Sequence, residues 1–353
     1  MNIKLNKGHE MEEQLRAYFY QAGYFVARGV PFTYEGFDIT DIDLWLYTRA
    51  SSVTREISIV DIKNKKTPQA IERIFWAKGL SNAVNADSVI VATTDKRKEV
   101  KDFGKKLNVL VLDGIFLSKL SKADGFLRSR LSDEEFNNEI LRYKFSKIDG
   151  DWKGKCLHAK SLLAKGLSFD SCNEWLNIAQ FFINQSMTKP NHVEIALRCF
   201  YSVVSMLCIG IDFILKELSF LDHEDRQSKL IEGFTYGAKG KDGIDKMLKL
   251  SLSLVEQFSP DGKSITNKVR ARISNEFSSI PTKIIGEYFS KSDVGRSLFN
   301  VARDLDSLAM ARAFEPHTNT SIEIRSLIGC LLDFWSIDRV DFAKNLENLR
   351  KSS

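Results

Sequence analysis

Residues 41–47 read DIDLWLY and residues 56–63 read EISIVDIK. Both runs are rich in β-branched and aromatic residues, and the Thr/Arg/Ser/Ser cluster at 48–52 punctuates the chain between them, so each is predicted to be a strand. In an extended chain residues two apart share a face, so Asp61 and Lys63 project together while Val60 and Ile62 project the other way. A short connection predicts antiparallel neighbours, with Asp43 on the first strand at the level of Asp61 on the second.

Working outward, YFVARGV at 24–30 reads as a further strand, and GHEMEEQLRAYFYQAGYFV at 8–26 opens as a helix. Its Met11, Leu15, Tyr18 and Ala22 recur at helical spacing and Gly23 supplies the stop. On the other side, Pro68 opens a helical stretch, PQAIERIFWAKGLSNAVNA. Two apolar runs follow, SVIVATT at 88–94 and NVLVLDG at 108–114, separated by a charged helix at about 95–107. They read as parallel buried strands. The expected fold class is α/β, an antiparallel meander leading into parallel crossover units with helices on its flanks.

From about 115 onward helical periodicity dominates, which predicts an all-α C-terminal domain. The division is expected between 115 and 155 and is set at 1–125 for the sheet domain and 126–353 for the helical one. Within the latter, YGAKGKDG at 236–243 and SPDGKS at 259–264 read as interhelical loops.

The chemistry expected of the strand pair follows from its side chains. A hard divalent cation such as Mg²⁺, or Mn²⁺, takes oxygen ligands and is commonly held by one or two carboxylates plus substrate phosphate. Asp43 and Asp61 are the candidate metal ligands. Lys63 stands beside them to orient a water or stabilise negative charge developing on a phosphodiester. An acid-x-lysine tripeptide occurs by chance in a chain with 46 acidic and 51 basic residues. Here, however, Asp61 and Lys63 close an otherwise apolar strand. Lys65 and Lys66 follow closely enough to neutralise backbone phosphates, and Lys96, Arg97, Lys98, Lys105 and Lys106 are weaker candidates for the same role.

This pattern, an acid on one strand and acid-x-lysine on the next, resembles the PD-(D/E)xK nuclease superfamily. The flanking segments, over residues 8 to about 115, resemble its Mrr-type branch. GHEMEEQLRAYFYQAGY is similar to that branch's opening helix, with Glu12 falling on the family's glutamate. DIDLWLY and the order of elements from Ile57 to Gly114 follow the family's catalytic strands, helices and closing LxDG-like strand. The resemblance implies a restriction-endonuclease-like mixed sheet with Asp43, Asp61, Lys63 and Glu12 as catalytic residues. It further implies a Mg²⁺-dependent endonuclease acting on DNA, with RNA as the other nucleic-acid substrate, in prokaryotic restriction or anti-phage defence. A homodimer and a defence-system partner protein are compatible with that role. Departures are Ile42 where a proline is common and Asp61 where Glu or Gln is more usual. Asp38 and Asp41 are alternatives for the first acid, and Glu13 competes with Glu12.

Other readings of the same residues are a degenerate DNA-binding module and a junction or repair endonuclease. A metal-independent ribonuclease working from the helical domain is another, through the Arg-x4-His spacing of Arg312 and His317. Cys156 and His158 lack partners for a four-ligand site. Phe75 and Trp76, mid-helix, are expected in the core. A net charge of +5 permits a nucleic-acid partner without requiring one. Five scattered cysteines suit reduced thiols. The N-terminal MNIKLNKGHEMEE lacks the apolar region of a signal peptide, so a cytoplasmic location is expected. The apolar run Cys199–Ile211 falls short of the roughly 20 residues a membrane span needs and is expected to be a buried helix.

Overall fold

The computed structural model describes residues 6–65, 69–120 and 130–352. Helix α1 (Lys7–Gln21) starts where the Asn6 side chain accepts the His9 N–H at 2.9 Å and ends before Gly23, whose φ of +99° favours glycine. Strands β1 (Phe25–Tyr34) and β2 (Phe37–Arg49) form a hairpin. Its two turn residues, Glu35 and Gly36, both have positive φ, the backbone twist that tight antiparallel turns require. β3 (Arg55–Lys63) pairs antiparallel with β2. Helix α2 (Ala70–Ala83) then carries the chain to β4 (Ser88–Thr93), parallel to β3, and α3 (Lys98–Lys106) carries it to β5 (Val109–Leu112), parallel to β4. Strand order in the sheet is β1-β2-β3-β4-β5, so the mixed α/β sheet is the one expected.

Alternation along the strands builds two layers. Val26, Leu44, Leu46, Val60 and Ile62 pack under Met11, Leu15 and Phe19 of α1 and Leu117 of α4 (Gly114–Leu120). The buried stripe of α1 is thus Met11, Leu15 and Phe19; Tyr18 and Ala22, expected in it, lie at the surface. A strict four-residue step keeps the stripe over the sheet, whereas Tyr18 turns aside to meet the edge of Phe116. On the opposite face, Trp45, Tyr47, Ile57, Ile59 and Val91 join Ile74 and Ala77 of α2 in a core continuous with that of the helical region.

That region runs through α5 (Asp133–Arg142), α6 (Trp152–Lys165), α7 (Phe169–Thr188), α8 (Val193–Leu218), α9 (His223–Tyr236), α10 (Gly240–Phe258), α11 (Gly262–Ser279), α12 (Thr282–Ser290), α13 (Ser292–Met310), α14 (Ile322–Phe334) and α15 (Arg339–Ser352). The expected division at 125/126 lies outside the described residues. The glycine-rich 236–243 stretch is a sharp corner rather than a loop: one 3-10 turn, Gly237–Lys239, links α9 to α10. Gly237 and Gly240 take the positive φ that this corner needs. The apolar run expected as a short buried helix is the centre of α8, 26 residues long. By length and composition it is apolar enough to cross a membrane; here it lies against α7 and α13 with most of its residues buried. All five cysteines are free, and four of them are buried.

One buried carboxylate sits in this apolar helix. Asp212, fully buried, accepts the Tyr47 hydroxyl at 2.6 Å, Arg49 at 2.9 Å, and Arg55 through Nε at 2.5 Å and a second N–H at 3.0 Å. The donors come from β2 and β3, so this cluster fixes the sheet to the helical core. Asp212→Ala leaves the Arg55 guanidinium, whose side chain is 1% exposed, buried without its counter-charge. Loss of one partner of a buried pair costs about 3–5 kcal/mol, and urea unfolding of the variant is expected to show a loss of that size.

Candidate active site

The register that pairs Leu44 with Val60 and Trp45 with Ile59 brings Asp43 to the level of Asp61 one step further on. Asp43 reaches across, its Oδ2 accepting the Ile62 N–H at 2.6 Å. Asp61, only 6% exposed, accepts Nε of Arg73 at 2.8 Å and a second N–H of the same guanidinium. Lys63 is half-buried at the end of the same strand and acts electrostatically on Asp43, as does Glu12. Asp43, Asp61, Lys63 and Glu12 are therefore brought into one neighbourhood.

Glu12 and Glu13 separate by geometry. Glu13 is buried in ion pairs with Arg16 at 2.7 Å and Arg28 at 3.0 Å, the bonding of a structural residue. Glu12 accepts Arg28 Nε at 2.7 Å and lines, with Asp41 and Asp43, a cavity of about 300 Å³. Across that cavity Glu134 of α5 takes both terminal nitrogens of Arg28, at 2.7 and 2.9 Å. Burial raises the Glu134 carboxyl and Arg28 more than offsets it, leaving the group below its ordinary range. Asp41 is exposed on the same cavity, while Asp38 lies further out along the hairpin. Lys65 is exposed, and its carbonyl accepts the Thr94 hydroxyl at 2.5 Å. Lys66 lies outside the described residues. Arg97 is committed to Asp95 at 2.6 Å.

Asp43 is the electrostatically strained member. Burial pushes its carboxyl up to about 7, and the charges of Asp61 and Glu12 add to this against the Ile62 N–H and Lys63. A carboxylate short of counter-charge beside a second one is a hard-oxygen donor set, so the side chains present suit a divalent cation. Among the described residues no three His, Cys, Asp or Glu side chains converge as a ready-made cluster. Asp43 and Asp61 are the two that would hold an ion, with Arg73 now placed as cation on Asp61.

Arg73 carried no signal in the sequence, because a helix returning over its own strand places it there. Its guanidinium also lies 5.6 Å from the Trp76 ring centroid. Trp76 and Phe75, expected in the core, are 45% and 58% exposed. The inward face of α2 is taken by Ala70, Ile74 and Ala77, which turns both aromatics outward. In the helical region Arg312 pairs with Glu135 at 2.8 Å. His317 is buried against Tyr201, whose hydroxyl is 3.0 Å from Nδ1, and burial lowers its imidazole to about 4. The Arg-x4-His pair is thus tied into packing. His158 lies 3.3 Å from Glu174.

A raised carboxyl makes Asp43 a cost to stability when ionised. The native state holds its proton more tightly than the unfolded chain does, so stability falls as pH rises from about 4 to about 7. Asp43→Asn, which keeps an oxygen acceptor for Ile62, is expected to match the wild type near pH 4 and to exceed it by roughly 2–4 kcal/mol above pH 7. Thermal melts in EDTA across this range measure the difference. No family model matches the chain, and no curated protein or solved structure matches it either.

Proposed function

We propose that this chain is a Mg²⁺- or Mn²⁺-dependent endonuclease of the PD-(D/E)xK type and its Mrr-like branch, with a restriction-endonuclease-like sheet and DNA as substrate. The observation that supports the reading best is that Asp43, one step past the Leu44–Val60 pair, stands level with Asp61 of the adjacent strand and accepts the Ile62 N–H, with Lys63 two residues beyond acting on it electrostatically. A divalent ion held by the two carboxylates would supply Lewis acidity toward a phosphodiester. Lys63 faces the negative charge that builds on the phosphate oxygens as the bond breaks. Glu12, steadied by Arg28, sets the field at Asp43. Lys65, exposed just past the strand, meets backbone phosphate without reading sequence. Arg73 releases Asp61 and becomes free to pair with a phosphate, a bidentate acceptor of the same kind. A place in restriction or anti-phage defence is the biological role this reading carries.

The Arg73–Asp61 ion pair favours a second reading, a DNA-binding module of the same fold whose site is closed to metal. Nicking of supercoiled plasmid in Mg²⁺ or Mn²⁺ separates the two. Under the first reading the wild type nicks, Asp61→Asn and Lys63→Ala each lose at least 100-fold, and Arg73→Gln lowers the Mg²⁺ concentration needed for half-maximal rate. Intact plasmid with the wild type in both metals, alongside retained DNA binding, establishes the second. Cleavage unchanged by Asp61→Asn sinks the assignment of these residues.

A further inference from the structure

Helices α10 and α11 form a hairpin that leaves the body of the helical region. Its base touches α9, where the rings of Tyr236 and Phe277 lie 4.9 Å apart, and its tip is the turn at Ser259–Asp261. The seam between the helices is made by one side of α10, with Leu252 buried and Ile244, Leu248 and Val255 half-buried. Against it sits the face of α11 that carries the buried Thr266.

α10 has a second apolar side. Met247, Leu250, Leu254 and Phe258 are 50%, 69%, 52% and 77% exposed. They follow one another at steps of three or four residues, and at about 100° per residue they fall within an arc of roughly 80°. This is the spacing of a helix–helix seam, on a helix whose other seam is already filled.

We infer that this stripe is the contact by which two copies of the chain associate, α10 against α10 in antiparallel order. The charge pattern selects that occupant. The stripe is bordered by Ser251, Ser253 and Gln257, with two cations at its N-terminal end, Lys246 and Lys239, whose Nζ lies 3.2 Å from the Met247 sulfur. A nucleic acid would need a row of cations there, and an anionic membrane surface a basic border. Both lysines stand at one end of the stripe, so antiparallel order sets those of one copy at the far end from those of the other, and the middle of the contact carries no charge.

The stripe is also self-complementary about a two-fold axis near Leu252, as an isologous contact requires. Met247 of one copy meets Phe258 of the other, and Leu250 meets Leu254. Antiparallel order sets the two bodies at opposite ends and opposes the helix dipoles. The four helices then make a small bundle. Its size fits a weak, reversible dimer: four such side chains expose roughly 450 Å² per copy, so with their polar borders a pair buries up to about 1,000 Å², the lower limit for a specific interface. The inference does not depend on the nuclease reading, although two copies would bring two candidate sites to one duplex.

Sedimentation equilibrium of the full chain between 1 and 100 μM tests it. The wild type is expected at twice the chain mass. Leu250→Asp with Leu254→Asp is expected at the chain mass, its dimerisation weakened at least 100-fold. Both substituted side chains are exposed, so far-UV circular dichroism should not change, and the melting temperature should fall only by the concentration-dependent stabilisation that association lends the wild type. Ser251→Cys, one residue from the axis and at the edge of the stripe, is expected to oxidise to a covalent dimer in the wild-type background and not in the double variant. A wild type that stays monomeric throughout overturns the inference, as does a dimer that survives both aspartates. Monomeric wild type that binds phosphatidylcholine–phosphatidylglycerol vesicles through Leu250 and Leu254 would overturn it in favour of a lipid surface.

Discussion

A buried carboxylate in the longest apolar helix of the chain has to be neutralised where it stands, and Asp212 is neutralised by the sheet. Tyr47 and Arg49 from β2 and Arg55 from β3 close on it together. All three point to one face only if β2 and β3 keep a single register, because a slip of one residue sends every side chain to the opposite face. The same register, followed to the other end of the two strands, sets Asp43 beside Asp61. The clamp on the helical core and the candidate site are therefore two ends of one pairing, and whatever loosens the first displaces the second.

The two ends differ in how charge is settled. Around Asp212 two guanidinium groups and a hydroxyl answer one carboxylate. Around Asp43 the balance is reversed: burial and two neighbouring carboxylates act against one backbone N–H and Lys63, and the carboxyl is driven up to about 7. Ionised at neutral pH, Asp43 costs stability, and an uncompensated buried carboxyl of this kind is what makes the position a candidate site. Arg73 bonds Asp61 directly and reaches Asp43 only through its charge, so among the described residues Asp43 has no side-chain hydrogen bond of its own to a cation.

How much of this was legible in the sequence depends on the range of the interaction. Alternation within EISIVDIK and DIDLWLY is a two-residue signal, and it correctly grouped Asp61 with Lys63 and set Asp43 beside them. The order of strands and helices was legible for the same reason, since each element carries its own period. Arg73 was not, because its place over Asp61 is created by the α2 crossover and leaves no mark in the local pattern. Phe75 and Trp76 were misplaced because an apolar side chain in a helix gives no sign of which face the sheet will cover. The glycines at 237 and 240 read as a loop, whereas their positive φ lets one helix turn into the next almost without interruption. α8 is longer than the apolar run Cys199–Ile211 that announces it, because the flanking Arg198 and Asp212 interrupt the apolar pattern without ending the helix. Each is instead held within it, Arg198 donating to the Ala309 carbonyl at 2.9 Å.

The helical region is more than an appendage to the sheet in electrostatic terms. Glu134 of α5 holds the Arg28 guanidinium, Arg28 holds Glu12, and Glu12 is one of the charges that raises Asp43. Arg130 and Asp306, paired at 2.7 Å, line the same cavity, and Tyr20 of α1 meets Ser307 of α13 at 2.8 Å. If α5 moved away from the sheet, Arg28 would keep Glu12 and Glu13 but lose its third carboxylate. Its positive charge would then bear more strongly on Glu12, and the field at Asp43 would change without any contact to Asp43 itself. Coupling of this kind needs no continuous wire of moving parts. It needs only that one guanidinium be shared between two layers of the fold, and Arg28 is shared in that way.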